Sequence, residues 1–552
     1  MRPLMARIRR HQPGWPPWAD GLIVGILIIG TLGMYVATLL PDVGVGDIAE
    51  FQRAAPMLGL AHPTGYPLYL LLGWLWSHLP IGPSPAWRMN LFSAVAAAGT
   101  NGVLYLCGRA LGQRRPIALA AALANATALT FWKQATIAEV YALAALLQAS
   151  LFLALLRWRE RRAPFVLVGA ICGLALVHHR TAIFLLPGVA LFVGLTRRPT
   201  WRELIWACLA CCIALPIYLY IPLRLPPEQR TWSYVLDYIS GRSLASAGFN
   251  AERFWHEGLT RLALITWRNI LPQLMLIGTP IAILGALRIR RDHASAVLLI
   301  SVYLLMTGFS AAYYVYDTEV FLLPAHIVAA LLFGEGAMDL LSKAPSHLTS
   351  WISPLALIVP FSLGLQHGPQ VYATNMSTDA FSARAIMAQP IARNALFVVD
   401  WWHIYEALHY LQQVEGLRQD IGLQPADNEH QYENTIAQAL DQGRPVYLLR
   451  PLANLPFGQH LEGQVWRISR QPVDYPLQMR TRIYWAHGVG LMGYTIPDHP
   501  YRPGEVVPIT LGWQSPQPIE RRMVVFIHLV GPDGMIWGQQ DYTPPLLLSD
   551  GG

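Results

Sequence analysis

The chain has 552 residues, 54% of them hydrophobic and only 13% charged, with a mean hydropathy of +0.34 and a formal net charge of +7. So apolar a composition excludes an ordinary soluble globule and calls for a bilayer as solvent. It also excludes nucleic acid as a partner, because the basic residues fall in short clusters between apolar runs, where a membrane protein keeps its anchors.

The first 20 residues are basic and rich in Pro and Trp, and no small-residue cleavage site follows the first apolar run, which is read as a retained span. Candidate spans fall at about 21–40, 88–108, 116–132, 136–156, 164–178, 181–196, 203–222, 264–287, 294–313, 319–337 and 351–367, mostly near the ~20 residues that cross the hydrocarbon core. This predicts a polytopic α-helical membrane protein of about eleven spans, residues 1–367. Arginine clusters at 7–10, 109–115, 157–162, 197–202 and 288–291 all fall on one side of that list, which makes that side the cytoplasm of a plasma-membrane protein. Counting Tyr66–Leu79 as a span would reverse every later cluster, so it is assigned to a Trp- and Tyr-rich helix at the outer interface. The N-terminus is then cytoplasmic, and everything after about residue 367 is extracytoplasmic.

Residues 368–475 read as a small α/β unit, with strands at Ala395–Val399 and Val446–Leu449 and helices at Tyr405–Glu415 and Glu433–Leu440. Residues 476–552 read as a β-rich module, with alternating runs Val506–Trp513 and Met523–Leu529 and a Pro532-Asp533-Gly534 turn into Met535–Gln540. Only four or five strands fit, fewer than a sandwich needs, so the module reads as truncated. The five cysteines all lie in apolar stretches, and Cys208, Cys211 and Cys212 are read as packing residues rather than metal ligands.

The polar residues of interest gather on the outer side. Asp47 and Glu50 are three positions apart, so a helix starting at Asp47 puts both carboxylates on one face of its first turn. There Asp47 either caps the helix or accepts a proton from a hydroxyl nucleophile. His62-Pro63-Thr64-Gly65-Tyr66-Pro67 is read as a shaped loop leading into the interfacial helix, or as a plain turn. Glu139 and Tyr141 open the fourth span, where Glu139 is either a second polar wall or a helix-start carboxylate favoured by the dipole. Asp317 and Glu319 stand before the tenth span, as acceptor contacts or, for Asp317, as a cap. Arg88, Lys133, Arg180 and Arg224 are the outer cations, either phosphate ligands, with Arg224 and Arg88 favoured, or snorkelling anchors. The loop 223–263, with Trp232, Tyr234 and Trp255, is placed on the membrane over the pocket. No His/Cys cluster has ligand spacing, and no metal is expected.

Four motifs fall in order: Gly46-Asp47-x-x-Glu50-Phe51, Ala61-His62-Pro63-x-Gly65-Tyr66-Pro67-Leu68-Tyr69, Trp87-Arg88-x-Asn90 and Phe131-Trp132-x-Gln134-x-x-x-x-Glu139-x-Tyr141. His179-Arg180-Thr181 with Pro187, Tyr218-x-Tyr220-x-x-x-Arg224, and Tyr316-Asp317-x-Glu319-x-Phe321-x-x-Pro324 continue them. Over about residues 21–330 this pattern resembles the bacterial relatives of an animal transmembrane protein O-mannosyltransferase. The resemblance implies a GT-C glycosyltransferase that uses a polyprenyl-phosphate sugar without a metal or other cofactor. It also implies an essential carboxylate in the first outer loop, which falls on Asp47 with Glu50 beside it. A departure at His179-Arg180, where relatives more often carry an Asn-His pair followed by Leu, leaves the roles of His178, His179 and Arg180 open. The expected activity is inverting transfer of a hexose, with mannose as the candidate, to an extracytoplasmic acceptor: protein Ser or Thr, or an envelope glycan or lipid. The competing readings are a non-enzymatic lipid or solute transporter and an assembly subunit. The transporter is disfavoured because the charges sit at span ends rather than the midplane.

Overall fold

In the computed structural model the described residues are 18–242, 248–249, 251–315, 317–345, 347–376, 379–389, 391–399, 402–425, 429–450, 452, 455–462, 465–471, 477–485, 489–496, 498, 500–502, 507, 509–514 and 525–542. The basic cluster at 7–10, Tyr316, Val506 and Met523 lie outside them. The chain divides into two compact units, Met1–Phe381 and Ser382–Gly552.

Among the described residues, seven helices of the first unit are long and apolar enough to cross a bilayer: Ala19–Ala37, Pro85–Ala110, Tyr141–Arg159, Trp201–Arg224, His293–Ala312, Thr318–Ser342 and Thr349–Asn375. The pair Glu252–Gln273 and Ile277–Ile289 makes an eighth if counted as one span bent by 102°. The fold is that of a multi-pass α-helical membrane protein. Four of the eleven expected stretches take another form. Residues 164–178 and 181–196 appear as the shorter apolar helices Val166–His178 and Arg180–Thr196. Residues 264–287 bend where a π-turn, Thr266–Ile270, meets a 3-10 turn containing Pro272. Residues 116–132 split into Arg115–Ala126 and Leu129–Ala135. Gln273, from the bend, accepts the Thr130 backbone N–H at 3.2 Å and donates to Thr130 Oγ1 at 3.1 Å, so one break satisfies the backbone of the other. The Tyr66–Leu79 segment forms the helix Pro67–Ser77, whose 11 residues are too few to span.

Helices meet through small residues, as expected where lipid gives no hydrophobic drive for association. A Cβ on Gly169 would lie 2.0 Å from the Ala207 carbonyl oxygen, and one on Gly336 would lie 1.7 Å from that of Ile281. At one end of the bundle the arginine clusters find acids. Asp20 takes Arg109 (3.2 Å) and Arg115 (2.9 Å), Asp292 takes Arg159 (2.6 Å), and Glu335 takes Arg288 (3.3 Å). Gln113 also donates to Glu335, at 3.2 Å, so three of the five clusters are tied together.

The second unit begins with β1 (Leu396–Val399), the helix Trp402–Gln413, β2 (Gly422–Pro425), the helix Glu429–Asp441 and β3 (Val446–Leu448). Both helices are crossovers between parallel strands, and the hairpin β4 (Gly458–Glu462) and β5 (Val465–Ser469) completes a sheet of order β2-β1-β3-β5-β4. The fully buried Leu-Phe-Val-Val run of β1 suits its central place. Beyond it lie an antiparallel sheet of β6 (Met479–Tyr484), β7 (Gly490–Thr495) and β8 (Thr510–Gln514), and a hairpin of β9 (Val525–Val530) and β10 (Ile536–Tyr542).

The glycine seam is open to direct test. Gly336→Ala is expected to cost about 1–3 kcal/mol or more by overpacking. Gly308→Ala, with nothing within 4 Å of its added methyl, should be neutral or stabilising. Thermal unfolding in detergent should therefore separate the two, and equal melting temperatures would refute the tight seam.

Candidate active site

At the bundle end opposite those ion pairs, the chain leaves the first span and is pinned before it reaches the site. Gln52 accepts the Gly44 N–H at 2.8 Å and donates to Asn90 Oδ1 at 2.9 Å, while Asn90 donates to the Leu40 carbonyl at 2.8 Å. Asn375 adds a bond to the Thr38 carbonyl at 2.7 Å. With that linker held, Gly46 turns at φ 61° and the helix Asp47–Met57 begins, with both carboxylates in its first turn.

Glu50 is buried and engaged by one partner. The His62 backbone N–H donates to Glu50 Oε1 at 2.8 Å, and His62 Nδ1 lies 2.5 Å from Oε2. Asp47 Oδ1 stands 3.8 Å from the same ring nitrogen, and its side chain is 33% exposed against 8% for Glu50. The shaped-loop reading of 62–67 therefore has a physical basis in two anchors from the later chain. Tyr220 Oη donates to the Gly59 carbonyl at 2.6 Å, and Tyr238 Oη donates to the Ala61 carbonyl. Gly65, at φ +82°, has Ile221 and Tyr238 too close to admit a side chain comfortably. Tyr66, itself in the left-handed region at φ 44°, turns into the helix Pro67–Ser77.

An aromatic wall stands beside the carboxylates. Phe51 packs on His62 (5.7 Å) and Tyr66 (5.4 Å), and Tyr66 lies 5.8 Å from His179. His179 lies 5.6 Å from Tyr141 and 6.4 Å from Phe321. A crevice lined by Tyr141, Ala144, His179, Thr181, Phe321 and Pro324 runs into the bundle from there. Glu139 and Asp317 complete an acidic group whose members act on one another's charge. Burial, then the charges of Asp47 and Asp317, push Glu139 well above the usual carboxylate range. Burial, then Asp47 and Glu319, lift Asp317 to about 6. Burial alone would lower His62, but the Glu50 contact and the charges of Asp47 and Asp317 outweigh it and hold the imidazole above its usual range. Burial, then His178, Arg180 and His62, pull His179 down to about 3.

The remaining sequence candidates are spread around this centre. Glu319 is exposed, and Asp317 forms no side-chain cap on the turn that follows it. Among the cations, Arg180 has its guanidinium beside Gly241, and its charge is felt by His179 and Tyr313. Arg88 is occupied by the Ile81 carbonyl at 3.1 Å, Arg224 lies over the Tyr220 ring at 5.8 Å, and Lys133 neighbours His367. Gln52 and Asn90 were not singled out as site residues; the available signal was an Asn within an otherwise apolar helix, where a polar group is costly. The ligand atoms of Asp47, Glu50 and His62 all lie within 4.8 Å of one another, a group able to hold a cation that linear spacing does not reveal.

Residues 47–202 match the family model for the N-terminal domain of protein O-mannosyl-transferase TMEM260. A mouse (Mus musculus) protein named protein O-mannosyl-transferase TMEM260 is 27% identical over 508 residues, 82% of this chain and 68% of that protein. The chain is similar to that protein over most of its own length. A Dictyostelium discoideum protein of the same name is 35% identical over 83 residues, 15% of this chain and 10% of that one. The crystal structure of ArnT from Cupriavidus metallidurans bound to undecaprenyl phosphate superposes with a TM-score of 0.53 at 12% identity, covering 83% of this chain and 100% of that one. That likeness establishes the GT-C-type fold.

The acidic group has a consequence for pH. An Asp whose folded pKa is raised destabilises the fold once ionised, so the penalty is absent below the unfolded value of 3.8 and grows as pH rises toward about 6. His62 runs in the same direction, with a stabilising contribution that is lost as pH rises through its raised pKa. Asp317→Asn is therefore expected to melt above the wild type at about pH 7.5 and level with it near about pH 4. A difference independent of pH would contradict the burial of this carboxylate.

Proposed function

We propose that this chain is a plasma-membrane, inverting glycosyltransferase. In this reading it moves a hexose, with mannose as the leading candidate, from a polyprenyl-phosphate donor to an acceptor hydroxyl on the extracytoplasmic side. The observation that carries the reading is the division of labour between two carboxylates one helical turn apart. Glu50 is held by His62, whereas Asp47 remains partly exposed beside it, at the start of a helix just beyond the first span. Asp47 then acts as general base: it takes the proton of the acceptor hydroxyl as the oxygen bonds to the anomeric carbon. The sugar–phosphate bond breaks on the opposite face, which inverts the configuration. Glu50 and His62 position Asp47, and Arg180 balances the charge on the departing polyprenyl phosphate.

The donor class is supported by the undecaprenyl phosphate bound to ArnT and by the shared fold. The names of the mouse and Dictyostelium relatives support mannose as the sugar and a protein hydroxyl as the acceptor. The active site lies at the bundle end opposite the arginine clusters, which supports an extracytoplasmic placement with the N-terminus inside. Transfer proceeds without a metal; were one needed, Asp47, Glu50 and His62 would be its ligands.

Asp47→Asn should cut transfer of radiolabelled mannose from polyprenyl phosphate to a Ser/Thr peptide by about 10²–10⁴-fold while leaving the melting temperature unchanged. EDTA should leave the wild-type rate as it is. Full activity in the Asn variant would remove Asp47 as the base, and a rate abolished by EDTA and restored by a divalent cation would replace the metal-free scheme.

A further inference from the structure

The turn between the helices Val166–His178 and Arg180–Thr196 holds a histidine whose proton is placed by the backbone. His179 caps the following turn: its Nδ1 accepts the Thr181 backbone N–H at 3.3 Å and lies 2.7 Å from Thr181 Oγ1. A ring nitrogen that accepts a backbone N–H bears no proton, so in the neutral imidazole the proton is on Nε2. Nε2 has no hydrogen-bond partner among the described residues. It is also not among the side-chain atoms sealed off from solvent without a partner. The ring it belongs to lines the crevice with Tyr141, Ala144, Gln148, Phe321 and Pro324.

The surroundings keep this imidazole neutral. It is buried, Arg180 is its chain neighbour, and His178 and His62 are the other titratable groups that oppose its protonation. Tyr66, Tyr141 and Phe321 face it with ring centroids 5.6–6.4 Å away. Aromatic faces beside a neutral N–H donor suit a sugar, whose C–H face stacks and whose hydroxyls accept hydrogen bonds. A phosphate would be better served by a cation.

We infer that His179 Nε2–H donates a hydrogen bond to a hydroxyl oxygen of the transferred hexose, so that this residue orients the sugar against Asp47. The contact deepens the transferase reading and rests on it. His179 is neutral across the working range, so it adds no ionisation to the pH profile of transfer.

Two substitutions separate the capping acceptor from the donor. His179→Asn keeps an acceptor where Nδ1 caps Thr181 but withdraws the distal N–H, whereas His179→Gln restores an N–H near Nε2. With a polyprenyl-phosphate mannose donor, the Asn variant should melt with the wild type and lose about 10- to 100-fold in kcat/KM. The Gln variant should recover most of that loss per folded molecule, and His179→Ala should not. Undecaprenyl phosphate without sugar should bind all three as it binds the wild type, and the shape of the pH profile should be unchanged. An Asn variant of wild-type efficiency, or a Gln variant no better than Ala, would overturn the inference with the transferase reading intact. Weakened binding of the bare lipid phosphate would move the contact from sugar to phosphate and equally overturn it. A wild type that transfers from no polyprenyl-phosphate hexose would defeat the proposed function and this contact together.

Discussion

The bond between Glu50 and His62 is the constraint on which the rest of the site depends. It occupies both oxygens of a buried carboxylate with one residue, through the backbone N–H and the ring. A carboxylate is costly to bury unless its lone pairs are met, and this pairing meets them while fixing the loop that follows the helix. The same loop carries Tyr66 to the aromatic wall, so losing the clasp would release a carboxylate, an imidazole and a ring of that wall at once.

Around that clasp the protein concentrates negative charge. The charges of Asp47 and Asp317 disfavour the ionisation of Glu139, that of Asp47 disfavours the ionisation of Asp317, and the imidazole of His62 is the basic group among them. Such a field raises the proton affinity of Glu139 and Asp317. Arg180, outside the acidic group but beside His179, is a positive charge at its edge.

The sequence made part of this legible. The carboxylates three residues apart, the Pro- and Gly-rich loop and the charges gathered at span ends are local patterns, and the helix does begin at Asp47. Other features depend on contacts distant in sequence. Nothing in Tyr220 or Tyr238 announces that their hydroxyls hold carbonyls at 59 and 61, and nothing in Arg88 announces its bond to the Ile81 carbonyl. The bend in 264–287 and the break in 116–132 stabilise each other through Gln273, which a hydropathy window cannot register. In the second unit β2 is a Gly-Leu-Gln-Pro tetrapeptide and β4 is largely polar, so neither shows an alternation from which a strand could be read.

The two tyrosine anchors also carry a consequence for biosynthesis. The loop bearing His62 is closed by hydroxyls 161 and 177 residues further along the chain, and the aromatic wall waits for Phe321, which packs on Tyr141. A ribosome that has delivered only the leading helices has made the acid pair and its histidine but neither the tyrosines that anchor their loop nor the phenylalanine that completes the wall. The site is therefore completed late in synthesis, after most of the bundle has been inserted.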